Sequence, residues 1–344
     1  MTLKSLFFGS PDVVIPVLES MLNDDNQEVL AVFTQPDRPV GRKQALSATP
    51  VKQYAEKHGL PVWTPEKLNM QGQQMLQEQF IKRPDVIVLA AYGMIIPKWL
   101  LDWPKYGVVN LHPSLLPAYR GASPAFGTIL RGDEICGLTY MQMDAELDHG
   151  PVIAQVSYPT PEDVDYLQLT AELFEKGAHY LPNVLAVLTN TVADTVLPSD
   201  DIRLQIFNPP QVQDHRKATI IWRFSKQDGF ISWELLEKTI AGEAAELALF
   251  NPNFEPLLHD VHDSKNAAET VERLIRALSP WPKAWTVVPV EKLLIEVRGT
   301  YPEGVRMQIL TAAFRKNRLE LMKIKIAGKV EQDWSEVRKA LLEK

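Results

Sequence analysis

The sequence predicts an α/β fold, with a doubly wound, mostly parallel Rossmann-like sheet followed by a small OB-like β-barrel. Three observations carry this prediction. Through Leu188, short apolar runs alternate with helical stretches, and strands separated by helices are joined by crossovers that make them parallel. A proline-bearing break follows, from Pro198 to Pro210. Beyond it the texture changes to short β-rich runs with only two helical segments among them. The boundaries expected are a first domain over 1–197, a linker over 198–213 and a second domain over 214–344. A chain of 344 residues is long enough for two such cores.

Taken in order, Leu3–Phe8 and Val29–Thr34 read as buried strands with an amphipathic segment, Val13–Leu22, between them. Thr49-Pro50 opens a helix, with threonine as N-cap and proline at the first helical position. Asp85–Ala90 and Gly107–Leu111 are further β-rich runs. Ser123-Pro124 repeats the cap signal ahead of Ala125–Leu130. Cys136–Met143 and Val152–Tyr158 read as strands and Tyr166–Leu188 as a long helix. Past the break, the strands expected are Ala218–Phe224, Trp285–Val290, Leu293–Val297, Val305–Leu310 and Arg318–Ile326. Helices are expected at Trp233–Ile240 and Ala267–Leu278, while Gly242–Asn266 fits no element and reads as an insertion.

Composition narrows the class. The single cysteine, Cys136, excludes an internal disulfide framework and a cysteine-based zinc cluster, and it fits a reducing cytoplasm. The apolar Leu6-Phe7-Phe8 is broken at once by Gly9-Ser10-Pro11-Asp12, too short for a signal segment, and no run is long enough for a membrane span. The net charge of −7 argues against a nucleic-acid partner until it is divided along the chain. From Ile206 onward there are 21 Lys and Arg against 19 Asp and Glu, whereas the first 205 residues hold 15 against 24. Arg306, Arg315, Lys316, Arg318, Lys323, Lys325 and Lys329 face only Glu320 within their stretch. A solvated barrel face explains that run as well as a phosphate-bearing partner does.

The densest polar signal is Val108-Val109-Asn110-Leu111-His112-Pro113. Residues i and i+2 of a strand share a face, so Asn110 and His112 project together at the carboxyl end of a predicted parallel strand. Open α/β sheets place their ligand crevice there. An amide donor beside an imidazole suits a carbonyl that becomes tetrahedral. A strand end satisfying its own backbone groups is the plainer alternative. The acidic turn Asp144-Ala145-Glu146-Leu147-Asp148-His149-Gly150 invites a metal, but it lacks paired histidines and reads more readily as a solvated turn. Within it, Asp148 could orient an imidazole. His259-Asp260-Val261-His262 has metal-compatible spacing yet lies in the irregular insertion, so no metal site is expected.

Asn110-x-His112, Ser114-Leu115-Leu116-Pro117, Arg120-Gly121 and Asp148-x-Gly150 together resemble the folate-dependent formyltransferases. The resemblance implies that Asn110, His112 and Asp148 form a catalytic trio. It implies too that 10-formyltetrahydrofolate, as cosubstrate, lies against Ser114, Leu115, Leu116 and Pro117, the loop bearing Tyr92, Gly93, Met94 and Ile95, and the turn at Gln142 and Asp144. The loop Phe33–Lys43 with Pro50-Val51-Lys52 is similar to that of the branch acting on methionyl-tRNA. By that resemblance Arg38, Arg42 and Lys43 contact the acceptor stem of the initiator tRNA. Asp228-Gly229-x-Ile231-x-Trp233 and Ser279-Pro280-Trp281-Pro282-x-Ala284-Trp285 resemble that branch's tRNA-binding barrel. The function implied is formylation of the α-amino group of methionyl-tRNA for translation initiation, by a cytoplasmic monomer with no membrane association.

The chain departs from the pattern at His149, where threonine is usual, at the Arg42-Lys43 loop, a residue or so short, and at the insertion. Three rival readings stay open: a formyltransferase for an amino sugar or another small amine, a formyltetrahydrofolate hydrolase, and a tRNA-binding protein without catalysis.

Overall fold

The computed structural model describes residues 2–40, 44–69, 74, 76, 78, 83–190, 201–261, 263, 266–292 and 304–341. The chain divides into two compact units, one of Met1–Gly121, Ile135–Thr160 and Thr170–Ile220, the other of Ala122–Glu134, Pro161–Leu169 and Ile221–Lys344. No helix among the described residues is long and apolar enough to cross a membrane.

The first unit opens with β1 (Leu3–Gly9), α1 (Ile15–Leu22) and β2 (Gln27–Phe33). A hairpin of β3 (Arg38–Val40) and β4 (Ala45–Ser47) precedes α2 (Pro50–Lys57). Here the cap signal is realised: the Thr49 hydroxyl accepts from the Lys52 N–H at 3.1 Å, with Pro50 in the first turn. β5 (Val62–Trp63), β6 (Val86–Ala90), α3 (Lys98–Leu101), β7 (Val108–His112) and β8 (Arg120–Gly121) follow. After α4 (Pro124–Arg131), which belongs to the other unit, come β9 (Ile135–Gln142), β10 (Val152–Pro159), α5 (Tyr166–Thr189) and β11 (Arg203–Gln211).

Eight of these strands form one sheet in the order β11-β10-β9-β7-β6-β1-β2-β5. The run from β5 to β7 is parallel, and β9, β10 and β11 add antiparallel pairings. Every residue of β6 is buried, as a strand covered on both faces requires. Phe8 and Phe33 stack at 4.4 Å with Tyr92 edge-on to Phe8, anchoring a core with Leu6, Leu89 and Leu100. Because β1 lies between β2 and β6, the strand order reverses beside it, and open α/β sheets place their ligand crevice at the carboxyl ends of the strands by such a point.

Two elements lie across the expected boundaries. The linker expected over 198–213 contains β11, paired antiparallel to β10 as the sheet edge. Its Pro209 and Pro210 fall within a register shift between the Ala154–Ile206 and Val152–Gln211 pairs, where an edge strand tolerates residues without an N–H. The helix α4, expected within the first domain, groups with the second unit. Its Phe126 packs on Phe224 and Phe254 at 4.5 and 5.2 Å, and its Arg131 pairs with Asp260 at 2.7 Å. Ser123 makes no side-chain cap bond to α4.

The second unit continues from β12 (Ile220–Ile221) through α6 (Trp233–Ala241), α7 (Glu255–Leu258), α8 (Ala267–Ala277), β13 (Ala284–Val288), β14 (Val305–Arg315), β15 (Arg318–Ile326), β16 (Glu331–Asp333) and α9 (Trp334–Leu341). Strands β13 to β16 form a four-stranded antiparallel sheet in sequence order. The strand expected at 293–297 lies outside the described residues. Gly242 closes α6 in a left-handed conformation (φ +78°). The inserted segment then folds back: Phe250, Phe254, Leu257 and Leu258 are buried, so it supplies core rather than a surface loop. His259 is exposed, and His262 lies outside the described residues.

The two motifs around Gly229 and Trp285 interlock. A Cβ at Gly229 would stand 2.1 Å from the Lys283 carbonyl, so only glycine allows that approach. Trp285 Nε1 donates to Lys226 O at 2.8 Å, and Ile231 N–H donates to Trp285 O at 2.8 Å. Asp228 accepts from the Ser225 N–H and hydroxyl and from Asn253.

Candidate active site

The site is built at the end of β7, in the first unit. Asn110 and His112 are both buried there, on the same face of the strand, with the intervening Leu111 turned into the opposite layer. β9 fixes their register, placing Asn110 opposite Met141 and His112 opposite Thr139. His112 Nε2 lies 3.0 Å from the Tyr119 carbonyl, an acceptor only, so that nitrogen carries the proton. The other ring nitrogen, Nδ1, faces Asp148 Oδ1 at 3.7 Å. The 36-residue separation between imidazole and carboxylate is closed by the turn between β9 and β10.

That turn is held tightly. Asp148 adopts a left-handed backbone (φ +46°), a conformation aspartate tolerates better than most residues. Its second oxygen, Oδ2, accepts the Gly121 N–H at 2.7 Å. Gly150 is required by close approach, since a Cβ there would meet Gln142 O at 1.9 Å. Gln142 N–H donates to Pro151 O at 2.9 Å and Met143 N–H to Val108 O at 2.8 Å, tying the turn to β7. Gln213 Nε2 donates to the carbonyls of Asp148 (2.9 Å) and Gly150 (2.8 Å).

The other expected folate contacts divide. Ser114–Pro117 form a loop beside His112, braced by Thr139: its hydroxyl donates to Ser114 O at 2.6 Å and accepts from Leu116 N at 3.0 Å. Gln155 Nε2 adds a bond to Leu116 O at 2.9 Å. In the loop after β6, Gly93 has φ +82° and Ile95 is 92% exposed. Tyr92 instead sends its ring into the core, and burial pushes its phenol well above the usual tyrosine range. The Tyr92 carbonyl accepts from Ser10 Oγ and Gln35 Nε2 at 3.1 Å each. Asp144 is committed within its own turn, accepting from the Glu146 N–H at 3.0 Å and lying 2.6 Å from His149 Nδ1. His149 stacks on His215 at 4.0 Å.

Of the three expected tRNA contacts, Arg42 and Lys43 lie outside the described residues. Arg38 is exposed on β3 and stands 3.8 Å from Glu66. In the second unit, β15 buries Leu319, Leu321, Ile324 and Ile326 and exposes Arg318, Lys323 and Lys325. Arg306 lies over the Trp285 ring at 4.0 Å.

The model of the formyl transferase family matches residues 3–185. A methionyl-tRNA formyltransferase of Roseiflexus sp. is 38% identical over 287 residues, covering 83% of this chain and 74% of that protein. One from Dehalococcoides mccartyi is 33% identical over 95% of this chain and 91% of its own length. The chain belongs to the methionyl-tRNA formyltransferase family. Among solved structures, that of HypX from Aquifex aeolicus in complex with tetrahydrofolic acid has a TM-score of 0.53, covering 98% of this chain and 47% of that one. At 14% identity, this likeness speaks for the fold of the formyltransferase.

The residues that sequence reasoning passed over are those whose bonds involve main-chain groups: Thr139, Gln155 and Gln213 bond peptide carbonyls, and Tyr119 offers its own carbonyl to His112. Gln213 stands two residues past the end of β11, at the last position of the stretch taken for a linker, and His215 follows at the start of the expected second domain; only their polarity there offered a signal.

Proposed function

We propose that the enzyme transfers the formyl group of 10-formyltetrahydrofolate to the α-amino group of initiator methionyl-tRNA. What supports this reading is the His112 imidazole facing the Asp148 carboxylate, with the buried Asn110 on the same face of β7, in a chain of this family. Asn110 supplies a donor for the oxyanion that forms when the amine attacks the formyl carbon. The Tyr119 carbonyl occupies His112 Nε2, so Nδ1 is the nitrogen available to exchange a proton. Asp148 is the anion that balances the imidazolium when that nitrogen is protonated. The amine loses one proton, the folate nitrogen gains one, and the bond between it and the formyl carbon breaks, giving N-formylmethionyl-tRNA and tetrahydrofolate.

The folate lies against Ser114–Pro117, Gly93–Ile95 and the Gln142 turn, with Tyr92 shaping the loop from beneath. Arg38, Arg42 and Lys43 meet the acceptor stem, and the basic face of β15 meets tRNA phosphates. The enzyme works in the cytoplasm as a monomer.

The test is formylation of charged initiator tRNA by purified protein given the folate, with deformylation followed in the presence and absence of tRNA. Formylmethionyl-tRNA is the expected product, and Asn110→Ala lowers its rate by about a hundred- to a thousandfold. Deformylation that proceeds equally without tRNA, with no formylated product, refutes the reading.

A further inference from the structure

We infer that Gln213 is a positioning residue for the reaction, holding Asp148 in register with His112 through the main chain of the catalytic turn. The inference rests on the function proposed above. Its basis is a chain of hydrogen bonds running through two buried side chains, Gln213 and Arg120.

Gln213 is 6% exposed and Arg120 is 8% exposed. The Gln213 oxygen accepts from Arg120 Nε at 3.2 Å and Nη2 at 2.7 Å. Its nitrogen donates to Asp148 O at 2.9 Å and to Gly150 O at 2.8 Å. A guanidinium only donates and a peptide carbonyl only accepts, so this amide fits in one orientation. Its two hydrogens match the two carbonyls, one each. Neither a carboxylate nor an apolar side chain reproduces that pattern.

Both ends of the chain are anchored. Arg120 Nη2 reaches His215 Nδ1 at 2.8 Å, which requires a lone pair on that nitrogen, and Arg120 N–H donates to Thr219 O at 2.8 Å. Asp214 turns the backbone just after Gln213 by accepting from the Arg216 N–H at 3.3 Å. At the other end, Asp148 sits at φ +46°, with one oxygen on the Gly121 N–H and the other 3.7 Å from the imidazole. A left-handed aspartate persists only where its surroundings over-determine it. Gln213 bonds the carbonyls on either side of His149 and so holds the peptide planes that aim the Asp148 side chain.

The test is a double-mutant cycle on kcat between Gln213→Glu and Asp148→Asn. Glutamate keeps the shape and the acceptor for Arg120 but removes the two donations. We expect Gln213→Glu to lower kcat by about ten- to a hundredfold, the scale of a 1 Å misplacement, with KM for the folate within about threefold of wild type. In the Asp148→Asn background the same change should alter kcat by less than about twofold, because the group it positions is already gone. An unchanged kcat for Gln213→Glu, or an equal loss in both backgrounds, overturns the inference. If Gln213→Glu does not fold, Gln213→Leu, which introduces no charge, enters the same cycle with the same criteria. Wild-type product identity decides the parent reading separately. If wild type only deformylates the folate, the ratios are taken on that reaction.

Discussion

Replacing Gly150 with alanine tests whether the turn that carries Asp148 is as rigid as its contacts require. The added Cβ would stand 1.9 Å from Gln142 O, and real Cβ contacts essentially never fall below 3.0 Å. The two backbones must therefore part by at least about 1.1 Å. Neither is a flexible side-chain tip. Gln142 is the last residue of β9, and Gly150 accepts from Gln213. The displacement is passed to Asp148, two residues away, whose Oδ1 already lies 3.7 Å from His112 Nδ1. A shift of that size takes the pair out of interaction range and should lower kcat by about a hundredfold. The assay is the initial rate of formylmethionyl-tRNA formation at saturating folate, alongside a thermal melt. Gly328→Ala is the control: its φ is +78° with nothing within 4 Å, so it carries backbone strain of about 1–2 kcal/mol and no consequence for the turn. A Gly150→Ala enzyme that stays folded and turns over within about threefold of wild type refutes the claim that this contact positions Asp148.

Two further outcomes concern ionisation in each unit. Burial pushes the Cys136 thiol up to about 11, so it should resist a thiol–disulfide exchange reagent in the native protein at mildly alkaline pH and react promptly in denaturant. Because the folded value is the higher one, the stability it contributes is complete below the ordinary thiol range and fades as pH climbs towards that value; equal labelling rates in native and denatured protein contradict this. For Asp228, burial alone would raise the carboxyl, but bonds from the Ser225 N–H, Asn253 and the Ser225 hydroxyl outweigh it and hold the group below its usual range. Its contribution is therefore present above the ordinary carboxylate pKa and lost as pH falls through the depressed one. Asp228→Asn should lower the melting temperature at neutral pH, with the difference from wild type shrinking below about pH 4; a difference independent of pH would show that charge is not what Asp228 supplies.

What was legible in the sequence, and what was not, follows from where each residue's partners lie. Asn110 and His112 sit two apart on one strand, so alternation alone joins them, and an apolar run ahead of them announces the sheet end. Asp148 has no such link. Its approach to His112 depends on β9 pairing with β7 and on a left-handed turn, and neither leaves a local pattern; resemblance alone brought it into the trio. β11 escaped notice because an edge strand needs no apolar alternation and can carry Pro209 and Pro210 at a register shift. The helix α4 was legible as a helix, but its unit was decided by Phe224 and Phe254, about 100 and 130 residues later, the second of them inside a segment with no periodicity at all. Gln213 is the clearest case. Four of its contacts are hydrogen bonds, yet two go to carbonyls, which every residue type presents alike, so no spacing in the sequence could reveal them. Residues that act on side chains leave motifs, whereas residues that act on main chain leave only a polar side chain in an unpromising place. The supporting shell of a site is for that reason less visible in sequence than the reacting groups it holds.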